Sequence, residues 1–201
     1  MPSPELPLLA FPDAAAFEAW LASQPERAVG AWIRFAKGNG PASSLRKSDA
    51  VDCALAHGWI DGQLVRIDER SYKVRFTPRK SGSSWSRINR ERAESLMAAG
   101  RMTPRGLAEV ERAKSDGRWD AAYPPQGRAL PDADLLAALE ARPDARRFFD
   151  GLDSANRYSV LYRVHQAKGP ERRAAKIAEI VERLASKRAY HPLRTPRSPS
   201  K

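Results

Sequence analysis

The chain has a single cysteine, Cys53, among 201 residues. No internal disulfide can form, so nothing in the sequence requires an oxidising compartment. Long hydrophobic runs are also missing, and no stretch approaches the roughly 18 consecutive apolar residues that a membrane helix needs. The opening MPSPELPLLAFPDAAAF contains no Lys or Arg and carries Glu5 and Asp13, so it lacks the basic region of a signal peptide. These absences lead to the expectation of a soluble, cytoplasmic protein. Histidine is scarce: His57, His165 and His191 stand far apart, with no HExxH or CxxC spacing. That spacing argues against a metal site, and no cofactor is expected. There is no internal repeat, which excludes a solenoid.

What is abundant is positive charge: 35 Lys and Arg against 24 Asp and Glu give a formal +11 and a pI near 10.2. Such a field favours acidic partners, whether nucleic acid, anionic head groups or phosphorylated small molecules. The 42% apolar content and five tryptophans are sufficient for a packed core in a chain of this length.

Helix and strand signals alternate early and become purely helical later. Asp13 is a candidate N-cap for a helix to about Gln24 with Phe17, Trp20 and Leu21 on one stripe, and Pro25 ends it. VGAWIRFA, residues 29–36, alternates as a strand, and KGNGPASS reads as a loop. Ser48 is the expected cap of a second helix that Gly58 closes, with Cys53 inside it as a small buried hydrophobe. WIDGQLVRID and SYKVRFTP form a hairpin around Glu69 and Arg70; in the second strand Tyr72, Val74 and Phe76 share one face and Lys73 and Arg75 the other. Trp85, Ile88, Leu96 and Met97 mark a helix to Gly100. Thr103 and Pro104 open another, with Leu107 and Val110 inward, that ends near Gly117.

The run AAYPPQGRALPDA holds three prolines and a glycine. It predicts a boundary between an α+β region over 1–124 and a helical part over 133–188, with 125–132 as linker. Helices are predicted near 132–141, 143–150, 154–167 and 170–186, the last with Ile177, Ile180, Val181 and Leu184 on one stripe. Residues 189–201, rich in proline, serine and basic side chains, read as a disordered cationic tail. The fold class expected is α+β: a small antiparallel sheet in the N-terminal half packed by helices, then an all-helical C-terminal part.

Several short motifs invite chemistry. The glycines of GNG at 38–40 follow a strand, but Pro41 and Ser43 break the dinucleotide-loop pattern. Ser44 to Lys47 matches SxxK but lies in a loop instead of opening a helix. Asp61, in GWIDGQ, is a weak candidate acid or base; as a purely structural residue it forms an Asp-Gly turn or partners an arginine. The richest stretch is FTPRKSGSSWSRIN, residues 76–89. From Arg66 to Arg92 nine basic residues face three acids, a local +6 of the total +11. Arg75, Arg79 and Lys80 lead into a loop whose Ser83, Ser84 and Ser86 precede or open a helix with Trp85 and Asn89. Hydroxyls cap helix amides in any protein, but guanidinium groups feeding the same loop make an anion seat. Arg75, Arg79 and the amides of the helix after Ser84 are expected to converge on one anion, an alternative to a solvated basic face. Tyr72 and Phe76 lie opposite Lys73 and Arg75, which counts against a single-strand nucleic-acid binder, a class that interleaves exposed aromatics with cations.

With GWIDGQ, RFTPRK, WSRIN, GRMTPRGL, DGRWDAAY and NRYSVLYRVHQA in this order, the chain resembles the YdeI/OmpD-associated family, also called bacteriocin-protection proteins, from about Leu6 to Pro192. Lys80 and Ser81 stand where the family often has arginine and proline. The resemblance implies a cytoplasmic bacterial protein linked to resistance against cationic antimicrobial peptides and to envelope stress, without an established catalytic mechanism. A cationic protein is a poor direct trap for a cationic peptide, since like charges repel. The expectation is therefore a non-catalytic stress-protection protein that binds an anionic small molecule or partner protein. The alternatives are an enzyme on a phosphorylated or carboxylated metabolite, with Asp61 as acid or base, and a nucleic-acid binder.

Overall fold

A computed structural model describes residues 5–38 and 45–193. Most of the loop after the first long strand, with Pro41, Ser43 and Ser44, and the tail from Arg194 onward lie outside the described residues. The fold is α+β, and the chain divides into two compact units, Met1–Ala122 and Tyr123–Lys201.

Unit 1 is a four-stranded sheet with helices on one face. The strands are β1 (Leu8–Leu9), β2 (Ala31–Ala36), β3 (Trp59–Arg66) and β4 (Ser71–Pro78), in spatial order β1-β2-β4-β3. β4 is antiparallel to both neighbours, and the two-residue β1 adds a parallel edge to β2 that the sequence did not suggest. The register between β3 and β4 shifts between Asp61 and Leu64, a bulge in the edge strand. Asp68 holds the hairpin turn, its Oδ1 accepting from the amides of Arg70 at 2.7 Å and Ser71 at 2.6 Å.

The helices of this unit are α1 (Ala14–Ser23), α2 (Lys47–Ala56), α3 (Arg87–Ala98) and α4 (Pro104–Ser115). Asp13 caps α1 as expected, accepting from the Ala16 amide at 2.8 Å. Ser48 does not cap α2: the helix begins at Lys47, and Arg46 instead binds Asp49 through two guanidinium nitrogens across the first turn. Gly58 closes α2 with φ +73°. Thr103 and Ser86 cap α4 and α3.

Leu107, expected inward, is 40% exposed, and Ile88, one of the apolar residues that marked α3, is 44% exposed. Gly106 gives the reason for α4: a Cβ there would lie 2.2 Å from the Ala56 carbonyl oxygen. That close approach fixes Gly106, Glu109, Val110 and Ala113 as the inner stripe, and Leu107, about 100° round the helix, is turned away. On α3 the buried positions are Ala93 and Leu96, one face that leaves Ile88 outside. The core gathers Phe17, Leu21, Ile33, Phe35, Trp59, Val74, Phe76, Trp85 and Val110 under the sheet.

Unit 2 packs α5 (Ala133–Glu140), α6 (Pro143–Asp150), α7 (Ser154–Gln166) and α8 (Pro170–Ala185) around Leu135, Leu139, Phe149, Val160, Ile180 and Leu184. Pro143 and Pro170 occupy first-turn positions, where a missing N–H costs nothing. Arg173 ties α8 to Asp132 and Asp134. After α8 the chain returns to α7: Asn156 Oδ1 accepts from the amides of Tyr190 and His191, at 3.0 and 2.8 Å. The Tyr190 ring lies under the guanidinium groups of Arg163 and Arg183, at 3.8 and 4.4 Å. Residues 189–191, inside the segment expected as tail, are therefore held against the helices.

Candidate functional site

Period-two alternation in β2 and β4 sorts their side chains between the core of unit 1 and an outer sheet face. In β2, Ala31, Ile33 and Phe35 are buried, so Trp32 and Arg34 point outward. In β4, Val74 and Phe76 are buried, so Lys73 and Arg75 point outward. The strands pair Trp32 with Arg75 and Arg34 with Lys73, bringing all four onto one patch. Lys73 Nζ lies 4.6 Å from the centre of the Trp32 ring, within reach of a cation–π contact. Arg75 is exposed and its guanidinium runs alongside Gly62 of β3. Arg34 approaches Asp68 at 3.8 Å, both half exposed. Neither Lys73 nor Arg75 pairs with a carboxylate among the described residues.

The loop after β4 is built differently. β4 ends at Pro78, and Arg79 no longer follows the strand alternation: its amide donates to the Gly58 carbonyl at 2.9 Å and its side chain turns inward, 6% exposed. The guanidinium stacks on Trp85 at 3.6 Å and donates to the Ser84 carbonyl at 3.4 Å. Trp85 is itself buried, edge-on to Trp119 at 4.8 Å. Arg118, 5% exposed, donates to the Ser83 carbonyl at 2.6 Å and to both oxygens of Asp116. Two arginines thus clasp the carbonyl side of the serine loop from within.

The remaining sequence candidates take local roles in that loop. Lys80 is exposed, and its amide donates to Ser83 Oγ at 3.0 Å. Ser86 Oγ accepts from the Asn89 amide at 3.1 Å, the helix cap itself. The expected convergence is not what the residues form. Arg79, Ser83, Ser84 and Trp85 come together, but as two half-buried serines over a buried arginine–indole stack, whereas Arg75 is an exposed member of the outer patch. Asp61 is held by Lys47 Nζ at 3.3 Å, one half of an ion pair at the edge of the sheet. Among the described residues no three His, Cys, Asp or Glu side chains gather as a metal would require. His57, the C-cap residue of α2 before Gly58, faces Glu18 across 3.6 Å.

Sequence reasoning missed Trp32. The signal was present in the alternation of AWIRFA, but its significance depends on β2 lying next to β4, a pairing that skips β3 in chain order.

A family model described as Domain of unknown function (DUF8412) matches residues 9–109, half of the chain. The chain belongs to that family. A second model, described as Bacteriocin-protection, YdeI or OmpD-Associated, matches residues 130–187. The YdeI/OmpD-associated resemblance read from the sequence thus holds over a shorter span than Leu6 to Pro192. NRYSVLYRVHQA lies inside that span, while GWIDGQ, RFTPRK, WSRIN and GRMTPRGL fall in the DUF8412 region and DGRWDAAY between the two. The outer sheet patch belongs to the DUF8412 region, and α5 to α8 to the YdeI/OmpD-associated one. The chain matches no curated protein and no solved structure. No helix among the described residues is long and apolar enough to cross a membrane.

Proposed function

We propose that this chain is a non-catalytic stress-protection protein of the bacteriocin-protection type, and that it binds an anionic ligand or partner through the outer face of its sheet. The observation that carries the reading is the pair Lys73 and Arg75: adjacent to Trp32 on the outer face, partly and fully exposed respectively, and without a carboxylate partner among the described residues. Some other surface cations are compensated locally, as Arg92 is by Asp52 at 2.6 Å and Lys114 is by Glu111 at 2.8 Å; what sets Lys73 and Arg75 apart is that they share one sheet face with Trp32. Uncompensated cations on a rigid sheet are already oriented, so an incoming anion displaces no internal partner. Asp61 offers little support for the enzyme reading, because Lys47 already engages its carboxylate.

The bacteriocin-protection part of the reading is supported by the match over residues 130–187. Protection by this chain runs through an anionic intermediary, since direct capture of a cationic peptide by a +11 protein is opposed by repulsion. The test has two arms. Inorganic polyphosphate should bind the purified chain with an affinity that falls with salt and with Lys73→Ala/Arg75→Ala. Cells expressing that variant should lose protection against a cationic bacteriocin that the parent confers. Undiminished polyphosphate binding by the double variant removes the sheet face from the reading, and full protection by it severs binding from protection.

A further inference from the structure

We infer that the anion taken by the outer sheet face is single-stranded nucleic acid, with a base stacked on Trp32 and the neighbouring phosphates on Lys73, Arg75 and Arg34. This rests on the reading that the outer face binds anions, and it adds a reason for the indole.

A small phosphate or an acidic peptide needs only the cations; a half-buried tryptophan in their midst would add nothing to its binding. Trp32 sits directly across from Arg75 on the adjacent strand, and Lys73 lies over its ring at 4.6 Å. Directly opposed residues in such a pair have Cβ atoms roughly 5 Å apart, so one nucleotide spans both the ring and a cation. Every base has a π-face, which makes a flat aromatic flanked by cations a sequence-tolerant seat for an unstacked strand. Lys73 already satisfies the indole face electrostatically, and a base entering there exchanges one π contact for another while the ammonium moves to a phosphate.

A duplex fits less well. Its bases are already stacked on each other, and reading it needs an element that enters a groove, whereas this patch is the flat face of a sheet. The phase argument drawn from β4 alone, with Tyr72 and Phe76 opposite Lys73 and Arg75, is answered by the aromatic arriving from β2.

The deciding experiment measures fluorescence anisotropy of labelled short oligo(dT) and oligo(U) with the full chain at physiological salt. A duplex of the same length and inorganic polyphosphate serve as competitors. The variants are Trp32→Thr, which keeps strand propensity without a ring, and Lys73→Glu, a change on the outer face opposite the core side of β4; thermal melts check that each folds. The single strands should bind more tightly than duplex or polyphosphate. Trp32→Thr should weaken the oligonucleotides by roughly tenfold and leave polyphosphate unchanged, and Lys73→Glu should weaken both. If Trp32→Thr does not melt cooperatively, quenching of tryptophan emission by the oligonucleotide but not by polyphosphate, lost in Lys73→Glu, carries the same conclusion. Equal binding of polyphosphate and oligonucleotide, with neither the tryptophan change nor quenching separating them, overturns the nucleic-acid inference and leaves the anion-binding face standing. Preference for duplex likewise overturns it. Failure of every polyanion to bind removes both.

Discussion

Arg75 and Arg79 stand four residues apart and belong to two kinds of basic region. Arg75 lies on the open sheet face with Lys73, next to a tryptophan that solvent can reach. Arg79 lies inside, its guanidinium flat on the buried Trp85 and its fork turned to the loop carbonyl of Ser84. Both pair a cation with an indole, yet one arrangement is available to a ligand and the other is part of the core. Local charge density does not distinguish them; what does is whether the strand alternation still governs the side chain.

The largest effect that would break this comparison comes from the interior. Arg79→Ala should destabilise the fold by about 3 kcal/mol, because it removes a desolvated cation–π stack on Trp85 and a hydrogen bond to the loop. Denaturant unfolding measures it. Arg79→Lys should recover only part, since an ammonium can neither stack flat nor present a planar fork. If either variant unfolds like the parent, the interior arginine is no structural clasp.

Next in size are the outer cations. Arg75→Ala and Lys73→Ala should each weaken polyphosphate by about 1 to 3 kcal/mol, as loss of a charge-assisted contact does. Each should leave stability within about 0.5 kcal/mol, as surface substitutions do. A shift in the unfolding midpoint comparable to that of Arg79→Ala would merge the two regions into one.

The same contrast explains how much could be read from the sequence. Caps and terminators were legible because their chemistry is local: Asp13, Thr103 with Pro104, and the left-handed glycines at 58, 100 and 117. The four helices of unit 2 were legible from periodicity, as with Ile177, Ile180, Val181 and Leu184. β1 was not, because two residues carry no period. Arg75 could be turned outward from the phase of its strand, but Arg79 could not be turned inward, since Pro78 ends the phase and the stack on Trp85 is tertiary. Trp32 could be assigned a face but not a neighbour, because the strand beside it comes from beyond α2 and β3.

Smaller effects come with pH, again one in each unit. The Arg173 guanidinium bonded to Asp134 holds that carboxyl below its ordinary value. A depressed carboxyl stabilises the fold above the unfolded pKa of about 3.9 and loses that contribution as pH falls through the folded value. Acid titration should therefore loosen α5 from α8 below about pH 4, and Asp134→Asn should flatten that limb of the stability curve. In unit 1, burial pushes the Cys53 thiol up to about 11. An acid with a raised pKa works in the opposite sense: the unfolded chain ionises first, at about 8.5, so stability declines from there towards the folded value. Cys53→Ala should remove this alkaline decline, and the native thiol should resist alkylation at neutral pH.

The bulge between Asp61 and Leu64 has a consequence for the crowded chain in concentrated solution. β3 is the long free edge of the sheet, and a straight eight-residue edge would offer its unpaired amides and carbonyls to the edge of another molecule. The bulge breaks the regular spacing of those groups midway, and the Lys47–Asp61 ion pair sets charge beside the break. A bulge of this kind opposes edge-to-edge pairing, and straightening it by deleting a residue between Asp61 and Leu64 should make aggregation, not loss of binding, the first symptom.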